Sequence, residues 1–227
     1  MSSISCIIPA YNEETRIGKV LDVVIAQKNI DEIIVIDDGS SDNTKGIVTM
    51  YPGVKLIIHS KNEGKSKSIS DGIIKASGSH LLFLDADLVG FNQKNLDDLI
   101  RPVITQRADM SMSLRGNTPK IWRIINLDYI SGERLLPRNA FDQKSIECIS
   151  KIPHFGLEVF MNEIIIIKKY RIKIVSWPNV NSPYKHSKYG WYHGTKEDVF
   201  MLRDIFNTVP LHKLFKQILC MRKSSIK

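Results

Sequence analysis

Short runs of aliphatic residues alternate with helical patterns through the first 84 positions of this 227-residue chain. Four runs have the length and composition of buried strands: 4–8, 33–36, 54–58 and 81–84. Three segments between them have the pattern of helices with one apolar face: 17–25, 42–50 and 65–76. Strands and helices that alternate in this way form right-handed crossovers. The pattern therefore predicts an α/β fold with a mostly parallel sheet and helices on both faces.

The second half of the chain has less regular patterns. Helices are predicted at 96–104, 121–135 and 156–168, and a strand is predicted at 110–114. The polar and aromatic stretch at 179–194 has no clear period, which favours a mobile loop near the functional edge.

Charge and cysteine content restrict the class of protein. A formal net charge of +8 suits anionic partners such as nucleotides or lipid phosphates, but the basic residues are dispersed and no nucleic-acid motif is present. The three cysteines lie far apart without CxxC spacing, so neither a disulfide framework nor a structural zinc site is expected. No signal peptide or long apolar run is evident, so we expect a cytoplasmic protein that does not span a membrane.

Acidic pairs follow two of the predicted strands. Asp37 and Asp38 come after the second strand, and Asp85 and Asp87 flank Ala86 after the fourth. Ligands of parallel α/β sheets bind beyond the carboxyl ends of the strands, so these carboxylates are expected at one edge. Two carboxylates spaced in this way can hold Mg²⁺ or Mn²⁺ against a diphosphate. The alternative is a solvated turn with an N-capping aspartate.

Two other segments bear on nucleotide binding. The turn at 9–13 would place backbone and an aromatic ring beside a nucleotide, although Glu13 alternatively compensates a helix dipole. The Gly64-Lys65-Ser66 sequence lacks the earlier glycine of a P-loop, which we reject. No GxGxxG follows a strand, which argues against a nicotinamide or flavin dehydrogenase.

Four strings in this order resemble family 2 glycosyltransferases with the GT-A fold, including dolichol-phosphate mannose synthase-like and bacterial cell-envelope enzymes. The strings are IIPAYNEE at 7–14, EIIVIDDGSSDNT at 32–44, NEGKSKSISDGIIKASG at 62–78 and LLFLDADL at 81–88. The resemblance implies a single catalytic domain at 1–200, with a nucleotide-sugar half at 1–115 and an acceptor half at 116–200. A basic amphipathic tail at 201–227 would follow.

The same resemblance implies roles for individual residues. The nucleotide-sugar site would consist of Pro9, Ala10, Tyr11, Glu13, Asp38, Lys65, Asp85, Ala86 and Arg115. The Mg²⁺ or Mn²⁺ ligands would be Asp87 and Asp85, with His186 or His193 as a third, although a loop histidine often has no such role. Arg115 is alternatively an ordinary surface arginine.

The residues predicted to act on the acceptor are supported by weaker sequence patterns. Glu158 would be the catalytic base, or else a first-turn glutamate that compensates a helix dipole. Glu133 and Arg134 would contact an acceptor phosphate, or else lie on a solvated helix face. The tail would rest peripherally on a membrane, or else pack on the domain with a basic outer face.

The resemblance implies metal-dependent, inverting transfer of a sugar from a UDP- or GDP-linked donor to a hydroxyl or polyprenyl-phosphate acceptor. Two alternatives remain at this point. One is a nucleotidyltransferase that acts on a sugar phosphate, and the other is a non-catalytic, membrane-associated module with the same fold.

Overall fold

The computed structural model describes residues 2–152, 156–183 and 210–226. Its first half contains β1 (Ile4–Ala10), α1 (Ile17–Ile25), β2 (Glu32–Asp37), α2 (Thr44–Thr49), β3 (Val54–Ile58), α3 (Lys65–Lys75) and β4 (His80–Phe83). Then follow α4 (Gln93–Ile104), β5 (Met110–Arg115), α5 (Lys120–Ile124), β6 (Arg134–Pro137), a 3₁₀ turn (Arg138–Ala140), α6 (Gln143–Ile149), α7 (Gly156–Ile167), β7 (Ile172–Trp177), α8 (Leu211–Ser224) and β8 (Ser225–Ile226).

The strands form one eight-stranded sheet in the order β3-β2-β1-β4-β6-β5-β7-β8. Every pairing is parallel except those of β6, which runs antiparallel to both β4 and β5. The predicted α/β fold with a mostly parallel sheet is therefore confirmed.

Each face of the sheet carries its own apolar core. Successive residues of a strand point to opposite faces, so Ile34 and Ile36 of β2 join one core and Val35 joins the other. Helices α3, α7 and α8 contribute to the first core, and α1 and α4 contribute to the second. Burial on both faces explains why the strands appear in the sequence as nearly continuous apolar runs.

The predicted helix at 121–135 is wrong. Helix α5 ends at Ile124, Asn126 has a left-handed φ of 49°, and strand β6 begins at Arg134. Strand β6 fills the position between β4 and β5, where Leu135 pairs with Leu82 and Ser111. This pairing satisfies backbone groups that two neighbouring strands would otherwise leave exposed, so a long-range contact overrides the local helical period.

The C-terminal segment is part of the folded unit. Helix α8 buries Leu214, Gln217 and Met221, and the short strand β8 extends the sheet beside β7. Within the described residues, no helix is both long enough and apolar enough to cross a bilayer. Most of the stretch predicted to be a mobile loop, 184–194, lies outside the described residues.

Candidate functional site

The loops after β1 and β2 form one side of the site. Pro9 and Ala10 end β1, Ala10 pairs with Asp37, and the Asp38 backbone N–H donates to the Ala10 carbonyl over 2.8 Å. Tyr11 is 41% exposed at this edge. The strand ends that carry these residues therefore lie side by side, as expected.

The loops are tied together by side chains beyond the strand ends. The Glu13 backbone N–H donates to Thr44 Oγ1 over 2.8 Å, and the Glu13 carboxylate accepts from Arg16 Nε over 2.7 Å. Glu13 is itself buried. It therefore anchors the turn at 9–13 to the start of α1 and α2, and its contact with a nucleotide stays a prediction.

Asp38 fixes the start of α3. Its carboxylate accepts from the backbone N–H groups of Glu63 (2.9 Å) and Gly64 (2.8 Å), and it lies 2.7 Å from His59 Nδ1. The other ring nitrogen of His59 lies 3.0 Å from Asp71. Three contacts leave little of the carboxylate for a base or ribose, so that expected role stays a prediction. His59 was not predicted as a site residue, because a lone histidine after a strand is not part of a recognisable sequence pattern.

Lys65 joins two residues predicted to have separate roles. Its ammonium donates to Asp85 Oδ1 over 2.8 Å and to Glu158 Oε1 over 3.1 Å. These groups lie at the start of α3, just after β4 and in the first turn of α7. Burial lowers the pKa of Lys65, but the two carboxylates outweigh burial and raise it above its usual range. Lys65 is therefore a permanent cation between Asp85 and Glu158.

Arg115, at the end of β5, is the second cation at Asp85. Its Nη1 atom lies 3.7 Å from Asp85 Oδ2 and 3.3 Å from Glu133 Oε1, and its Nη2 atom lies 3.9 Å from Asp128 Oδ2. Its side chain is only 14% exposed, so the surface-arginine alternative is wrong. Burial opposes its charge, but the surrounding carboxylates raise its pKa. Its buried Nε–H has no acceptor among the described residues.

The two neighbouring cations, Lys65 and Arg115, determine the protonation state of Asp85. Burial raises the pKa of Asp85, but the opposite effects of Lys65 and Arg115 are larger and hold that pKa at about 2. Asp85 is therefore ionised at any physiological pH.

Glu133 is completely buried directly before β6, so the expectation of a solvated helix face is wrong. It accepts from Ser113 Oγ over 2.6 Å and contacts Arg115. Burial raises its pKa, Arg115 lowers it, and the nearby charge of Asp85 raises it again, with a result of about 7. The sequence feature that could have indicated a buried polar partner here is Ser113, a polar residue between apolar neighbours in β5.

Arg134 is also fully buried, and the expected contact with an acceptor phosphate is wrong. Its guanidinium donates to the Ser131 carbonyl (2.7 Å), the Tyr129 carbonyl (3.3 Å) and Asn162 Oδ1 (2.7 Å). Asn162 lies one turn after Glu158 on α7. Arg134 therefore joins the loop before β6 to the helix that carries Glu158.

The site has the donor atoms for a divalent cation that is shared with a substrate. Asp85 and Asp87 are partly exposed on either side of the buried Ala86. Mg²⁺ is usually held by one or two carboxylates together with phosphates and waters, and this pair matches that pattern. No group of three or more His, Cys, Asp or Glu within the described residues is arranged to hold a metal ion. His186 and His193 lie outside those residues.

Gly132 keeps the space beside Asp85 open. A Cβ atom at this position would lie 2.9 Å from both carboxylate oxygens of Asp85 and 3.0 Å from Lys65 Nζ. A side chain here would therefore displace one of the two charged groups. The loop before β6 thus approaches the site through its backbone.

A family model described as glycosyl transferase family 2 matches residues 5–165. Dolichyl-phosphate beta-glucosyltransferase ALG5C of Trichomonas vaginalis is 39% identical over 94 residues, and the match covers 36% of this chain and 28% of the relative. Glycosyltransferase AglE of Haloferax volcanii is 38% identical over 91 residues, and the match covers 37% of this chain and 30% of the relative. Both matches span less than a third of the relative's own length.

Solved structures share the fold over more of the chain. Glucosyl-3-phosphoglycerate synthase from Mycobacterium tuberculosis, in complex with Mn²⁺, UDP and glucosyl-3-phosphoglycerate, superposes with a TM-score of 0.67 at 19% identity. The match covers 91% of this chain and 80% of that chain. At this identity the similarity shows the fold alone, and it confirms the expected GT-A-like architecture.

Proposed function

Because this chain belongs to glycosyl transferase family 2, we propose that it transfers a sugar from a nucleotide-diphosphate sugar, with UDP as the nucleotide. The observation that carries the proposal is a cluster of charged side chains next to Asp87. In this cluster Lys65 and Arg115 both contact Asp85, and Lys65 also contacts Glu158. Two permanent cations and a carboxylate pair at one sheet edge suit a diphosphate that gains charge as its bond to the sugar breaks.

The donor would lie across the ends of β1, β2 and β4. Pro9, Ala10 and Tyr11 would line the nucleotide pocket, with Asp38 at its floor. Asp87 and Asp85 would hold Mg²⁺ or Mn²⁺, and the cation would supply Lewis acidity for the departure of the diphosphate. The mycobacterial synthase structures contain UDP with Mn²⁺ or Mg²⁺, which supports this choice of nucleotide and cation.

Lys65 and Arg115 would stabilise the leaving group directly. Each is oriented by carboxylates before any donor binds, so little reorganisation is needed during the reaction. Electrostatic groups that are oriented in advance in a partly buried site commonly supply a large share of the rate enhancement.

Glu158 would act on the acceptor side. A hydroxyl acceptor must lose its proton as it attacks, and a carboxylate held by Lys65 at 3.1 Å can take it. A phosphate acceptor is already ionised and needs no base. Attack opposite the departing diphosphate would invert the configuration of the sugar.

The relatives include dolichyl-phosphate beta-glucosyltransferases of several organisms, and their names support a lipid-linked acceptor for this chain. We therefore propose a polyprenyl phosphate, or a hydroxyl of a lipid-linked sugar, as the acceptor. Such a substrate is confined to a bilayer, so the enzyme would contact the membrane peripherally through its C-terminal tail.

Nucleotide binding and the identity of the released product test whether the donor is a UDP-linked sugar. We expect UDP to bind in a calorimeter with Mn²⁺ and to bind at least 10-fold more weakly to Asp87→Asn, whereas the surface control Asp98→Asn stays unchanged. Turnover should release UDP. Pyrophosphate as the product would indicate a nucleotidyltransferase, GDP binding in place of UDP would refute the choice of base, and no nucleotide binding at millimolar concentration would favour a non-catalytic module.

The variant Glu158→Gln tests the acceptor chemistry. With a hydroxyl acceptor it should lose about 100-fold or more in turnover, in line with the loss of a general base, while UDP affinity is retained. With a polyprenyl phosphate acceptor the loss should be under about 5-fold, because no proton is removed. Equal large losses on both acceptors would refute the role as a base.

A further inference from the structure

Helix α8 has two separate apolar faces. The inner face packs Leu214 and Met221 into the core that contains α7, and Gln217 of this face contacts the Tyr129 hydroxyl. The outer face carries Leu211, Phe215 and Leu219, which are 55%, 64% and 59% exposed. Residues spaced by four lie along one side of a helix, so the three form a continuous stripe. Packing on the domain therefore leaves a second apolar surface uncovered.

The outer face is also strongly basic. Residues 210–227 contain five Lys or Arg residues and no Asp or Glu. Lys213, Lys216 and Lys223 are exposed on α8. At 100° per residue, Lys223 and Lys216 lie directly beside the stripe on the side turned away from the protein. Exposed apolar side chains bordered by lysines match the surface of an anionic bilayer, whose headgroups attract the lysines while the apolar chains insert.

The sheet fixes the direction of α8. Strand β8 follows α8 and pairs Ser225 with Ile172, the first residue of the parallel strand β7. The helix therefore ends at the amino edge of the sheet. Gln217, in the middle of α8, contacts Tyr129 in the loop before β6, and β6 begins where Arg134 pairs with Phe83 at the carboxyl end of β4, so α8 runs from the carboxyl edge of the sheet towards the amino edge. Leu211 thus lies at the end of α8 nearest the edge that carries Asp85.

The inner face connects this helix to the site. Gln217 holds Tyr129, and the neighbouring residue Asp128 lies 3.9 Å from Arg115. Tyr129 also stacks on Trp122, with ring centroids 5.7 Å apart. Helix α8 is therefore connected to Arg115 through Gln217, Tyr129 and Asp128.

We propose that Leu211, Phe215 and Leu219, bordered by Lys216 and Lys223, dock on an anionic lipid surface and hold the Asp85 edge of the sheet close to it. The proposal deepens the proposed function, because a lipid-linked acceptor would then approach from the membrane on which the enzyme rests. The lipid contact itself depends only on α8.

Vesicle sedimentation of the full chain tests the proposal. We expect binding to vesicles that contain 30% phosphatidylglycerol, at least 10-fold weaker binding to pure phosphatidylcholine, and loss of binding in high salt. Phe215→Ser combined with Leu219→Ser should reduce the affinity at least 10-fold. Met50→Ser is the control, because Met50 is 70% exposed directly after helix α2, on the opposite face of the sheet, and its substitution should leave binding unchanged.

Several outcomes would overturn the proposal. No binding of the wild type to anionic vesicles would refute it, as would equal losses in the double variant and the Met50 control. A dimer in light scattering that the double variant abolishes, without vesicle binding, would assign the stripe to a second copy of the chain. Calorimetry with UDP in the absence of vesicles separates this test from the proposed function, since the double variant should bind UDP normally.

Discussion

Glu133→Gln should make the protein more stable at alkaline pH relative to wild type. Glu133 is fully buried next to Asp85, and Arg115 compensates only part of the cost of ionising it. Its pKa is therefore raised to about 7. Glutamine has nearly the same shape as a protonated glutamate, so the substitution removes the ionisation and leaves most of the packing intact.

The sign and size of this stability change follow from the pKa values of Glu133 in the unfolded and folded states. In the unfolded chain Glu133 titrates near 4.5, whereas in the folded protein it titrates near 7. Between these values the folded state holds a proton that the unfolded state has lost, so the wild type loses stability as pH rises. The shift corresponds to on the order of 3 kcal/mol when complete, of which about 2–3 kcal/mol develops between pH 5 and pH 8.

Urea unfolding at pH 5 and pH 8 measures this effect. The free energy of unfolding of Glu133→Gln minus that of wild type should rise by about 2–3 kcal/mol between the two conditions. Glu32→Gln is the matched control, another buried carboxylate that contacts Lys55 and the Ser77 backbone N–H. Burial raises the pKa of Glu32, but these contacts and Ser5 lower it to about 2.

The control should behave differently because both of its pKa values lie below 5. The stability that Glu32 contributes is present above about pH 4.5 and is lost only as pH falls towards 2, so Glu32→Gln should be destabilised nearly equally at pH 5 and pH 8. A pH-independent difference for Glu133→Gln, or one that falls with rising pH, would refute the reasoning about Glu133.

Three further substitutions test separate parts of the site. Lys65→Met should lower kcat/KM for the sugar donor about 10-fold or more, because the charged contact with the departing diphosphate would be lost, whereas Lys67→Met, which removes an equally exposed lysine paired with Asp71, should change it less than about two-fold. Gly132→Ala should lower turnover about 10-fold in a steady-state assay, with little change in unfolding free energy, because the methyl group would displace Asp85 or Lys65. Gly39→Ala should cost at least about 2 kcal/mol in urea unfolding, since φ is +71° and the new Cβ would lie 2.4 Å from a backbone carbon. Equal changes in kcat/KM for both lysine variants, unchanged turnover of Gly132→Ala, or a fully stable Gly39→Ala would contradict the respective explanation.

The sequence by itself determined the α/β class and the edge at which the chemistry lies. Local periodicity identifies elements whose apolar faces are buried, and the alternation of strands and helices fixes a parallel topology. Once the sheet is parallel, residues that follow strands must share an edge, so Asp38 and Asp85 could be placed there from the sequence.

Only the tertiary structure decided what surrounds those residues. Strand β6 has a helical pattern in the sequence, and it becomes a strand because β4 and β5 leave a position between them. That placement buries Glu133 and Arg134 and turns an apparently solvated segment into the support of Arg115. Burial and charge compensation depend on contacts between residues that are distant in the chain, and local periodicity does not contain that information.

The tail shows the same division. Its sequence predicts a basic amphipathic helix but leaves membrane contact and packing on the domain as alternatives. The fold shows that Leu214 and Met221 pack inward while Phe215 and Leu219 stay exposed, so packing uses one face and leaves the other uncovered. Which apolar residues of a helix become buried depends on the neighbour it packs against, here α7, and this is decided in three dimensions.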